Sequence, residues 1–114
     1  MLSHPYATDL GPVDFDHLER MTSGEKALER EVLGMFMSQS SRLIEMLASL
    51  PVETAALAHT LKGSARAIGA FNVAERAAAL EAVGQGDDGA QALTTLREAV
   101  AEARSAIEAR LGRS

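Results

Sequence analysis

The sequence has no cysteine and no tryptophan, only three prolines, and aromatic residues make up just 4% of it. Without cysteine neither a disulfide framework nor a thiolate metal site can form, so thiol redox chemistry is excluded and the chain fits a reducing compartment. No apolar run approaches the roughly 18–20 residues of a membrane span, and the opening MLSHPYATDLGP has neither the basic start nor the apolar centre of a signal peptide. The expectation is a soluble, cytoplasmic protein with no membrane partner. Lys and Arg number 11 against 16 Asp and Glu, a formal net charge of −5, with no basic cluster. The attraction that supplies most nucleic-acid affinity is therefore missing, and nucleic acid is not an expected partner. There is no Walker loop, glycine-rich nucleotide loop or kinase catalytic motif, so the chain is not expected to be an enzyme with its own ATP site.

What is present is alanine, leucine and glutamate, with 46% hydrophobic residues over a length of 114, enough for one domain with a single core. Good helix formers with few breakers favour an all-α fold. Residues 1–12, with Pro5, Gly11 and Pro12 and no periodicity, read as a flexible N-terminal arm, and residues 13–114 read as one domain. Asp14 is placed to cap a short helix carrying Phe15 and Leu18 on one face, which TSG at 22–24 interrupts. Thr22 and Glu25 stand at capping-box spacing before a long amphipathic helix, its stripe drawn through Leu28, Val32, Phe36, Leu43, Leu47 and Leu50. Pro51 either breaks that helix or sits in the first turn of the next, which runs to about Gly69. Asn72 and Glu75 repeat the capping spacing before a fourth helix with Val73, Ala77 and Leu80 inward, stopped by GQGDDG. Asp87 or Asp88 caps a last helix whose seam is Leu93, Leu96, Val100, Ala103, Ile107 and Leu111. Such helices, joined by short connectors, predict an antiparallel four-helix bundle preceded by a short N-terminal helix.

The chemistry is concentrated in AHTLKGSARAIGA, residues 58–70, where a helix carries a histidine and, one turn later, a glycine about 1 kcal/mol worse than alanine. On a helical wheel of about 100° per residue, Leu57, Leu61 and Ile68 fall opposite His59, so burying them turns the imidazole outward. Around His59 on the outer face lie Ala55, Ala56, Gly63, Arg66, Ala67 and Ala70, with Lys62 on the shoulder. Solvated helix faces ordinarily carry long Glu, Lys and Gln side chains. This face is trimmed, and small residues admit the backbone of a second macromolecule, with Gly63 removing even a methyl group beside the ring. Lys62 and Arg66 add positive charge suited to a phosphoryl group or an acidic partner surface. Taken alone, an exposed helical histidine is more often a spectator, and an alanine-rich face can be a contact between helices.

AHTLKGSARAIGA resembles the signature of histidine-containing phosphotransfer domains, the HPt modules of two-component phosphorelays, with His59, Lys62, Gly63, Ser64 and Gly69 at the family's spacing. The short first helix, the long second helix and the LE pair at 80 and 81 resemble the family as well. The resemblance implies a phosphoprotein of signal transduction in which His59 accepts the phosphoryl group and Lys62 and Gly63 are its adjacent helpers. The implied donor is an aspartyl phosphate on a response-regulator receiver domain, including the receiver of a hybrid histidine kinase; a second receiver takes the group onward. A receiver brings the Mg²⁺, so no intrinsic cofactor is expected. On this reading Lys62 neutralises charge on the phosphoryl oxygens, and Glu81 or Gln85 on the fourth helix holds the other ring nitrogen of His59. Ser64 faces the core side and is expected to bond the carbonyl one turn back, and Gly69 to end the helix. Met35, Met37 and Met46 are candidates for an adaptable partner surface.

Three alternatives stand beside this reading. The module could take its phosphate directly from a chemotaxis-type kinase domain, or the bundle could be a non-catalytic adaptor. A metal site built from His4, His17 and His59 lacks the paired-histidine or Glu-x-x-His spacing of helical metal sites, so no metal is expected. A monomer is expected.

Overall fold

In the computed structural model, which describes residues 11–112, the chain forms five α-helices and, among those residues, no strand. Most of the arm expected over 1–12, with His4, lies outside the described residues. The helices are α1 (Phe15–Met21), α2 (Lys26–Ser49), α3 (Thr54–Ile68), α4 (Phe71–Val83) and α5 (Asp87–Gly112). They build an antiparallel four-helix bundle from α2 to α5, with α1 lying against α3. Leu33, Leu61, Leu80, Leu96 and Ile107 are fully buried side chains at its centre.

Local chemistry sets each boundary. Asp14 caps α1 as its position suggests, its carboxylate accepting from the His17 backbone N–H at 3.1 Å. Thr22 does not open α2. Its hydroxyl donates back to the Leu18 carbonyl at 3.0 Å and closes α1, so the expected capping box is not formed, and Glu25 precedes α2 without a side-chain cap. Pro51 does both things open to it: α2 stops before it, and it starts a 3₁₀ turn over Pro51–Glu53 that leads straight into α3. Gly69 ends α3 in the left-handed conformation at φ +89°. The reversal is complete by Ala70, so Asn72 is already inside α4 and is not the cap its spacing suggests. Asp87 and Asp88 occupy the first turn of α5, where the helix dipole favours negative charge.

The stripe on α2 also differs from the expected one. Its buried positions are Glu29, Leu33, Phe36, Ser40, Leu43 and Leu47, while Leu28 and Leu50 are each 39% exposed. A line drawn through leucines passes over Glu29 because a lone carboxylate avoids the core. Here it is paired: Arg110 of α5 donates from Nε and an Nη to the two Glu29 oxygens at 2.8 and 3.1 Å, and to Glu19 of α1 at 3.0 Å. The same guanidinium lies 4.6 Å from the centre of the Phe15 ring. Its fork holds the Glu29 carboxyl below the usual carboxylate range and raises the arginine further, so α1, α2 and α5 are joined by a pair that stays ionised. Farther along the same interface, Arg104 of α5 donates to the Met37 carbonyl and to the Ser40 hydroxyl.

Candidate functional site: an exposed histidine on α3

The wheel drawn from sequence is realised over the length of α3. Leu57, Ala58, Leu61, Ala65 and Ile68 are buried, while His59 projects outward with 67% of its side chain exposed. Of its expected neighbours, Ala55, Ala56, Gly63, Arg66 and Ala67 are exposed on the same helix. Ala70 is not: it is wholly buried. The wheel applies only as far as the helix runs, and the left-handed turn at Gly69 carries Ala70 under into the core. A Cβ built on Gly63 meets nothing within 4 Å, so no packing constraint in this chain requires glycine there.

Glu81, on the inward shoulder of α4, joins the site. One of its carboxylate oxygens lies 2.9 Å from His59 Nδ1, and the other accepts from Lys62 Nζ at 2.6 Å. A carboxylate can only accept, so the proton of the neutral ring resides on Nδ1 and Nε2 keeps its lone pair. The bonds from Lys62 and then His59 hold Glu81 below the usual carboxylate range against the opposing effect of desolvation, which keeps it ionised near neutral pH. Lys62 is thus engaged with Glu81 in the unphosphorylated chain. Its side chain is only 19% exposed, folded against Glu81 rather than projecting toward the space beyond the ring. Gln85, the other candidate for the ring, lies past the end of α4 on a pocket lined also by Leu47, Pro51 and Leu93, and does not meet His59.

The remaining candidates sort by burial. Ser64 is half-buried and, among the described residues, makes no side-chain hydrogen bond, whereas Thr60 makes the back-bond to its own helix at Ala56 (3.1 Å). Met35 is 63% exposed, while Met37 and Met46 pack half-buried on the core. A contribution that the sequence does not signal comes from α1. His17 Nε2–H donates to the Ala67 carbonyl at 3.2 Å, and its ring meets Phe71 edge-on at 5.2 Å, so α1 caps the end of α3 beyond the trimmed face. Among the described residues no group of three or more His, Asp or Glu side chains could hold a metal ion. No described helix is long and apolar enough to cross a membrane.

His59 lines neither the groove of about 420 Å³ between α2 and α5 nor the pocket of about 160 Å³ beside Gln85. An imidazole with 67% of its side chain exposed on a trimmed helix face is poorly shielded from water, in contrast to the enclosed sites that bind small molecules. The crystal structure of the histidine phosphotransferase ShpA from Caulobacter crescentus superposes with a TM-score of 0.77 at 33% sequence identity, covering 90% of this chain and 93% of that one. No curated protein sequence matches significantly. The Hpt domain family model matches residues 31–106, which includes the exposed histidine, its glutamate and the trimmed face, and the chain belongs to the Hpt domain family.

Proposed function

We propose that this chain is a histidine phosphotransfer protein in which His59 accepts a phosphoryl group from the aspartyl phosphate of a response-regulator receiver domain and passes it to the aspartate of another. The observation that carries this reading is the state of the ring: Nδ1 is engaged by Glu81 at 2.9 Å while the rest of the side chain faces solvent. In the forward step the Nε2 lone pair attacks phosphorus, an N–P bond forms, and the P–O bond to the donor breaks with the aspartate leaving as carboxylate. The ring retains its Nδ1 proton and becomes an imidazolium, whose charge is met by the ionised Glu81 already in place. Donation to the second receiver runs the same exchange in reverse, so no proton need leave the site. Such a transfer depends on alignment and charge neutralisation more than on covalent help, and a receiver supplies Mg²⁺ and the enclosure that an exposed side chain lacks. Gly63 and the alanines at 55, 56 and 67 leave room for the receiver's backbone close to the ring, with Met35 on the neighbouring helix as an adaptable contact.

The test is incubation with phosphorylated receivers, and with hybrid histidine kinases, of the source organism, following acid-labile, alkali-stable phosphate on this chain. Label is expected on the native protein and absent from His59→Gln. Label that persists in that variant, or failure of every receiver to phosphorylate the native protein, would refute the assignment.

A further inference from the structure

We infer that Arg66, not Lys62, is the residue of this chain that contacts the phosphoryl group carried by His59, and that Lys62 is a positioning residue acting through Glu81. The inference rests on the reading of His59 as phosphoacceptor.

The exposed positions of α3 carry few groups able to do chemistry. Ala55, Ala56, Gly63 and Ala67 have no functional group, and the Thr60 hydroxyl is returned to its own helix at Ala56. Besides His59, that leaves Arg66, the one exposed charged residue on α3. Among the described residues Arg66 makes no ion pair or hydrogen bond through its side chain. Lys62 is nearer in sequence but is already committed. Its ammonium lies 2.6 Å from the Glu81 carboxylate with little of the side chain in water, and moving it onto a phosphoryl group would release the carboxylate that fixes the ring.

Arg66 follows His59 by seven residues, two turns or about 10.5 Å along the axis and within about 20° of the same meridian. Helical side chains lean toward the N-terminus, and Arg66, the longer of the two, reaches back over Gly63 in the direction of His59, whose shorter side chain leans the same way. Gly63 sits between them with open space where its side chain would be. A phosphoryl group on Nε2 extends outward from the ring, and a long cationic side chain crossing the bare glycine meets it with a planar fork suited to phosphate oxygens. The competing account is that Arg66 merely complements the dipole at the end of α3, a role that would show in stability and not in the phosphoryl group.

Phosphoramidate distinguishes these accounts without a partner protein: Nε2 attacks its phosphorus, the N–P bond to the ring forms, and the bond to ammonia breaks. Phosphorus NMR of the phosphorylated chain then gives the pH midpoint for the last ionisation of the phosphoryl group. Removing a cation that contacts it in Arg66→Gln should raise that midpoint by about one pH unit, with recovery in Arg66→Lys. Lys62→Gln should move it less, but should redistribute the His59 ring proton as read by nitrogen NMR of the unphosphorylated protein. A midpoint unchanged in Arg66→Gln, or moved more by Lys62→Gln, overturns the inference while leaving the phosphoacceptor intact. Failure of the native protein to take any phosphoryl group on His59 overturns the reading beneath it, and the inference with it.

Discussion

Substituting Gly63 by alanine should make this protein more stable and worse at its task. Gly63 lies within α3, is exposed, and a Cβ there meets nothing within 4 Å. The variant therefore incurs no clash, while the unfolded chain loses conformational freedom and the helix gains a better former, together about 0.5–1 kcal/mol. For a domain of this size 1 kcal/mol corresponds to a rise of roughly 4 °C in Tm. The same methyl group stands one turn from His59 on the face proposed to meet a receiver, so transfer from a phosphorylated receiver should slow, by about tenfold if docking loses roughly 1.4 kcal/mol. Phosphorylation by phosphoramidate, which needs no docked backbone, should be nearly unchanged. Thermal melts followed by circular dichroism, with the two phosphorylation rates measured on the same preparations, check all three parts. A destabilised variant would mean that Gly63 serves the fold, and a variant as fast as the native protein with receivers would remove the access argument for glycine at this position.

Gly69→Ala should act in the opposite sense: Gly69 has φ +89°, and a Cβ there would lie 2.6 Å from the Asp14 backbone carbonyl oxygen, so a loss of at least about 2 kcal/mol is expected from chemical denaturation. Glu29→Gln should lose about 1–3 kcal/mol at neutral pH by weakening the charged bonds to Arg110. Because the folded-state pKa of Glu29 is depressed, the stability it contributes is fully present above the ordinary value of 4.5 and disappears as pH falls through the folded value. Urea midpoints of the native chain and of the Glu29→Gln variant should therefore differ at pH 7 and converge in acid; a gap that widens below pH 4.5 would contradict the ion-pair account.

The helices are legible in the sequence because each carries its own period, and α3 is legible to its last turn because three aliphatic residues fix which way the rest must point. Where sequence and structure part, a distant partner decides what a local pattern leaves open. Thr22 has the spacing of a cap for the helix after it, yet a hydroxyl can equally close the helix before it when the Leu18 carbonyl is there to receive it. Glu29 falls outside any apolar stripe on α2 because nothing nearby in sequence neutralises it; Arg110 lies at the other end of the chain. Ala70 belongs to the outer face only if the wheel continues past a glycine that in fact ends it.

Lys62 shows the same limit at the site itself. Three residues from a histidine expected to carry phosphate, a lysine is naturally read as that phosphate's counter-charge, since spacing within one helix contains no information about α4. Glu81 lies 19 residues beyond it, and only the packing of α4 on α3 reveals that one carboxylate bridges the lysine and the imidazole. Once that bridge is in place the division of charge around the ring follows from simple electrostatics. The anion faces Nδ1, where a positive ring must be stabilised, and it needs a cation of its own to stay ionised in a partly desolvated cleft between helices. The lysine nearest the ring in sequence meets that need.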